Sequence, residues 1–186
     1  MRRGWWGAGV VALFLLLSSS PCAADDPRGY GPWRLGMSKA DVAGIEQYGP
    51  YEDVKVTGGL ETFNGIFEER RTNISFVFGP TGLSKIQIWA YEGQDLETAL
   101  ETWYRVLAYL VRIHGAIESR DLPLTADVSR SDFAATVRRA LDDKPKTGIT
   151  RLQMAPAMRP PDVSVFSSLF RHPQYGYYVF LYYQEP

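Results

Sequence analysis

The sequence predicts an α+β fold, an antiparallel β-sheet with helices packed on one face. Strand signals recur in two groups of three segments, 61–67, 72–78 and 84–91, then 147–154, 163–170 and 176–183, with clear period-two alternation in 72–78. One long stretch, 96–114, instead carries apolar residues at three- and four-residue steps. Turn-forming residues join most neighbouring strand segments closely enough for hairpins. The order is helix, three strands, long helix, short helix, three strands. It admits a tandem arrangement of two helix-plus-three-strand halves, 33–93 and 94–186, within a single α+β domain spanning 33–186.

The chain has 186 residues. Arg2 and Arg3 precede the apolar run Val10 to Leu17, and small residues fill Ser18 to Ala24. A charged head, a short apolar core and a small-residue cleavage site read as a signal peptide over 1–24. The apolar run is too short to span a bilayer core of about 30 Å. The expected location is therefore the bacterial periplasm or outside the cell, with no transmembrane helix in the mature form. Residues 25–32 are polar and rich in Gly and Pro, and read as a flexible lead-in.

Cys22 is the sole cysteine and lies inside the segment to be removed. Pro21 directly before it does not suit a lipid-anchoring signal. The processed chain then has neither disulfide nor thiolate, and its core alone must hold it.

Ser38 with Asp41 three residues on resembles a capping box, with Met37 and Val42 as its hydrophobic staple, opening a helix over 39–47 that Gly49-Pro50 stops. In the second strand Ile74, Phe76 and Phe78 share a face opposite Asn73, Ser75 and Val77. Gly79-Pro80-Thr81-Gly82 turns the chain. In the third strand Ile86, Ile88 and Ala90 share a face, and Lys85, Gln87, Trp89 and Tyr91 point the other way. Asp95 caps the long helix and Gly115 ends it. Ser131 is read as the cap of the shorter helix, 132–142. The last strand sets Tyr177, Val179, Leu181 and Tyr183 against Tyr178, Phe180 and Tyr182.

Lys and Arg number 20 against 21 Asp and Glu, a formal net charge of −1. That balance argues against nucleic acid as a partner, since binding it needs a clustered positive field. His114 lies on the apolar stripe of the long helix, where a packed imidazole is the plain reading. His172 sits in a turn before Pro173. Two such histidines without a thiol offer no metal-ligand spacing, so no metal or cofactor is expected. Glu68-Glu69 and Asp142-Asp143 are sequence neighbours whose side chains diverge, and neither makes a carboxylate pair for acid–base work. No nucleophile elbow, zinc-protease motif or phosphate-cradling glycine loop is present.

The informative excess is aromatic. Trp89, Tyr91, Tyr178, Tyr182 and Tyr183 lie on strands whose two faces three helices cannot both cover. They read either as inter-strand and core pairs or as a recognition surface, because Tyr and Trp dominate interface hot spots. These five are the candidate binding residues, and no catalytic residue is assigned.

The stretch Leu35-Gly36-Met37-Ser38-Lys39-Ala40-Asp41-Val42, ending at Tyr48-Gly49-Pro50, resembles the opening of small bacterial envelope proteins. These are the BamE/SmpA-type assembly lipoproteins and relatives with the β-lactamase-inhibitor-protein fold. The resemblance covers about Trp33 to Tyr91. It implies a helix feeding an antiparallel sheet, with Gly36 and Ser38 as turn and cap positions. The resulting expectation is a non-catalytic exported protein that binds an envelope protein through an aromatic sheet face, as an inhibitor, immunity or assembly factor. The alternatives are an envelope hydrolase or small-ligand protein with a site of scattered Asp, Glu, Tyr and His, and a purely structural envelope component.

Overall fold

The computed structural model describes residues 28–158 and 160–186, so the expected signal peptide, residues 1–24, lies outside the described residues. Over the described residues the fold is α+β, an eight-stranded sheet, a two-stranded ribbon and three helices. The ribbon is β1 (Gly29–Tyr30) with β2 (Trp33–Arg34), and Tyr30 and Trp33 are buried in the core. The expected lead-in thus becomes ordered from Gly29, because its Tyr side chain finds a packing site against Phe67, Tyr109 and Tyr183.

The six expected strands are β4 (Gly59–Phe67), β5 (Arg70–Gly79), β6 (Gly82–Gly93), β8 (Thr150–Pro156), β9 (Ser164–His172) and β10 (Gly176–Gln184). Two short edge strands, β3 (Glu52–Val54) and β7 (Ile117–Glu118), were not expected. The order is β3-β4-β5-β6-β10-β9-β8-β7, antiparallel throughout. Each half is a meander, and the last strand of one half pairs with the last strand of the other. The tandem arrangement therefore forms one continuous sheet joined at β6 and β10.

Helix α1 (Lys39–Ala43) is shorter than expected, and a separate 3-10 turn covers Glu46–Tyr48. Its start follows the sequence: Ser38 Oγ accepts the Asp41 N–H at 3.1 Å, and Asp41 accepts the Ser38 N–H at 3.1 Å. The glycines of this opening have a packing reason. Gly36 has φ 86°, and a Cβ on Gly82 would lie 2.4 Å from the Gly36 carbonyl oxygen. Backbone meets backbone there, through Gly36 N–H to Leu83 O at 2.8 Å and Leu83 N–H to Met37 O at 2.7 Å.

Helix α2 (Leu96–His114) has the expected bounds, with Asp95 accepting the Thr98 N–H at 2.7 Å and Gly115 at φ 80° closing it. Helix α3 (Arg130–Asp142) begins earlier than expected, and its cap is Ser129, not Ser131. Ser129 accepts the Asp132 N–H at 3.1 Å, so the cap with an acid three residues on decided the start. Arg171 of β9 donates to the carbonyls of Leu141 and Pro145, both at 2.8 Å, and ties the far end of α3 to the sheet.

All three helices lie on one face. Trp103 of α2 is fully buried and its indole N–H donates to Ser167 Oγ of β9 at 2.9 Å. Phe133 of α3 packs on Trp103 with centroids 5.5 Å apart. Val42 of α1 joins the same core as Ile74, Ile86, Val179 and Leu181. Glu97–Arg138 and Glu101–Arg130 ion pairs link α2 to α3 on the solvent side.

The β4–β5 hairpin turns on Glu68 and Glu69, with φ 45° and 65°. A two-residue turn with both φ values positive suits the sheet twist but strains side-chain-bearing residues. Glu69→Gly is expected to raise the stability by about 0.5–1 kcal/mol, read as a higher urea midpoint at unchanged slope. Glu68 is the wrong position for this change, because it accepts from Arg112 of α2 at 3.1 Å.

Candidate functional site

The face of the sheet away from the helices carries the aromatic excess. Among the described residues no helix lies on it. The alternation of β6 and β10 places Trp89, Tyr178, Phe180 and Tyr182 there, and β9 adds Phe166 and Phe170. Trp89 stands edge-on to Phe180 with centroids 4.7 Å apart, and Tyr178 lies parallel to Phe180 at 6.0 Å. Phe170 meets Phe180 at 5.6 Å, and Phe166 stacks on Tyr182 at 4.6 Å. The rings shield one another so well that Phe180 is only 7% exposed and Tyr182 only 6%, without a covering layer. The surrounding rings Trp89, Tyr178, Phe166 and Phe170 stay half-buried.

The register corrects two of the five candidate residues. Phe180 pairs with Trp89, but Val179 pairs with Tyr91, so Ala90 is an extra residue on β6. This β-bulge turns Tyr91 to the helix side. There its hydroxyl donates to the Asp95 carbonyl at 3.0 Å and accepts the Asp95 N–H at 3.1 Å, bracing the start of α2. Tyr183 is also on the helix side by plain alternation. It is fully buried, with its hydroxyl 3.0 Å from that of Tyr109. Trp89, Tyr178 and Tyr182 remain on the open face. Phe166, Phe170 and Phe180 were not singled out from the sequence, although the period-two pattern of β9 and β10 groups them with Tyr178 and Tyr182.

Two cations lie over the rings. Lys85 Nζ sits 4.7 Å from the centroid of Tyr182. The Arg151 guanidinium lies 5.2 Å from Phe170 and 5.6 Å from Phe166, and its Nε donates to Ser168 Oγ at 3.1 Å. Burial holds the Lys85 ammonium below its usual pKa, and the like charge of Arg151 adds to the effect. Burial pushes the Tyr182 phenol up to about 12, with Arg151 opposing, so this ring stays neutral across the physiological range.

An open groove of about 630 Å³ continues the face at its β7–β8 end. Glu118, Arg120 and Asp121 form one wall, and Gln153, Ser164, Phe166 and Gln184 the sheet side. Asp121 accepts the Gln153 N–H at 3.1 Å and Ser119 donates to the Gln153 carbonyl, so this loop binds the edge of β8.

The residues weighed for catalysis sit elsewhere and apart. Glu68 and Glu69 form a hairpin tip, and Asp142 and Asp143 stand at the end of α3. His172 organises its turn, its Nδ1 accepting the N–H groups of Gln174 and Tyr175 at 3.2 and 3.3 Å. His114 is half-buried on the helix side, its ring centroid 6.3 Å from that of Tyr183. Among the described residues no group of three or more His, Cys, Asp or Glu could hold a metal ion, and no helix is long and apolar enough to cross a membrane.

Burial lowers the His114 pKa from 6.5 because it disfavours the imidazolium. The unfolded chain then binds this proton at a higher pH than the folded chain does. Stability from neutral His114 is full above pH 6.5 and is lost as the pH falls through that value toward the folded pKa. His114→Phe is expected to flatten the acid side of the stability profile, read from urea midpoints between about pH 7 and pH 5.

No protein-family model, no curated protein and no solved structure matches this chain.

Proposed function

We propose that this is an exported bacterial envelope protein without catalytic activity, which binds another protein through the open aromatic face of its sheet. The observation that carries the reading is the cluster of six rings from β6, β10 and β9 on a face that no described helix covers. Inter-strand packing accounts for the buried Phe180 and Tyr182, and the rings left part-exposed around them are of the types enriched at interface centres. An inhibitor, an immunity factor and an assembly factor all fit this mode of binding. The separation of the carboxylates and imidazoles supports the non-catalytic part of the reading, since acid–base catalysis needs such groups within hydrogen-bond reach of one substrate atom. The amino-terminal pattern of charge, apolar run and small residues supports export.

Affinity capture from an envelope extract of the source cell tests the reading. The expected result is a discrete partner retained by the wild-type chain and lost with Trp89→Ala and with Tyr178→Ala. Partners retained equally by both variants, or a partner lost only on changes to the helix side, would overturn it.

A further inference from the structure

The rings alone do not choose a partner, but the two cations among them do. Lys85 and Arg151 come from strands on opposite sides of the β9–β10 pair and both lie over its aromatic residues. Among the described residues neither has a carboxylate within ion-pair distance, although most of the described ion pairs join the helices or the sheet margins. The carboxylates on the same face are Glu52 of β3, Glu61 of β4, Glu92 at the far end of β6 opposite Tyr178, and Glu118 of β7, with Asp121 in the adjoining groove. A half-buried ammonium without a counter-charge is costly, and a stacked guanidinium presents its remaining N–H groups outward for a planar acid. The platform from β6 to β8 spans three strand spacings, about 14 Å, and is open rather than enclosed. It therefore suits an extended macromolecular surface better than a small anion.

Building on the protein-binding reading, we infer that the partner presents an acidic segment in which Asp or Glu side chains flank apolar ones. The carboxylates meet Lys85 and Arg151, and the apolar side chains cover Trp89, Phe166 and Phe170. Carboxylates there give the half-buried Lys85 ammonium the counter-charge it lacks and accept from the outward N–H groups of the exposed Arg151.

The probe is a phage-displayed library of random peptides selected on the immobilised full chain. Enriched peptides should combine Asp or Glu with aromatic or aliphatic residues. A synthetic copy should bind at least about tenfold more weakly to Lys85→Gln/Arg151→Gln, and more weakly as salt is raised. Lys85→Arg alone, which keeps both charges and the Arg151 fork, should retain most of the wild-type affinity, and far-UV circular dichroism reports whether each variant is folded. Enriched peptides without acidic excess, or full affinity in the double Gln variant, overturn the acidic partner. If such peptides still lose affinity on Trp89→Ala, the aromatic face remains a protein-binding surface and only its charge preference is refuted. Absence of any enriched peptide counts against both readings. Binding to anionic phospholipid vesicles that the double Gln variant abolishes, without peptide enrichment, replaces the protein partner by a membrane.

Discussion

Trp103→Ala is expected to lower the free energy of unfolding by about 3–5 kcal/mol, the range for removing a fully buried large aromatic side chain. Domains of this size are stable by only about 5–15 kcal/mol, so the variant should sit near the edge of folding. Trp103 is fully buried at the point where α2, α3 and the sheet converge. Its ring packs on Phe133, and its indole N–H donates to Ser167 Oγ, which in turn donates to the Phe180 carbonyl at 2.7 Å. The chain of bonds runs from a helix, through the sheet, to the backbone of the residue at the centre of the opposite face. Trp103→Phe keeps most of the apolar volume and loses the donor, so its loss should be smaller, about 1–2 kcal/mol. Ser167→Ala leaves the indole N–H buried without its acceptor and should cost about 1–3 kcal/mol. Urea unfolding followed by circular dichroism orders the three. A loss below about 1 kcal/mol for Trp103→Ala would show that the site collapses around the missing ring and that α2 is held by its other contacts.

Much of this architecture is legible in the residues because a single period governs each element. Helix α2 is read with its observed bounds, since Asp95 and Gly115 bracket an uninterrupted apolar stripe. The six main strands are also read, most plainly β5, whose alternation sets one face to the core, and least plainly β4; β10 is apolar and buried on both faces. What escaped notice lacks a period. Two-residue strands such as β1, β2 and β7 form because long-range partners are in place, and two residues cannot show alternation. The start of α3 was readable, for Ser129 with Asp132 repeats the spacing of Ser38 with Asp41, but Ser131 offered a competing cap. The bulge at Ala90 had no signal at all. Alanine is tolerated on either face, so strict alternation carried Tyr91 to the wrong side, and one inserted residue reassigned a candidate binding residue to bracing α2. The platform itself was half visible. Its tyrosines and tryptophan stood out, whereas Phe166, Phe170 and Phe180 were not singled out.

Trp89→Ala is expected to weaken binding of the partner by about 30-fold or more, the loss that defines a hot-spot residue at about 2 kcal/mol. Trp89 stands over Phe180 at 4.7 Å and meets Tyr178 at 6.4 Å, and its indole N–H donates to Ser75 Oγ at 3.1 Å. It thus holds a fixed orientation before any partner arrives, and little entropy is lost on docking. Removing it also thins the cover over Phe180, so the folded state should lose about 1–2 kcal/mol, far less than at Trp103 because the ring is only half-buried. The decisive controls are the two aromatic residues that composition alone would place in the same site. Tyr183→Phe deletes the hydroxyl that faces Tyr109 and should cost about 1 kcal/mol of stability without changing affinity. Tyr91→Phe removes the bonds to Asp95 and should loosen the start of α2, again with unchanged affinity. Isothermal titration with the captured partner, beside urea unfolding of each variant, separates the two effects. If Tyr183→Phe or Tyr91→Phe weakened binding as much as Trp89→Ala, the recognition surface would have to include the helix side. Unchanged affinity in Trp89→Ala would refute recognition centred on these rings and leave them the bland role of inter-strand packing that holds β6 to β10.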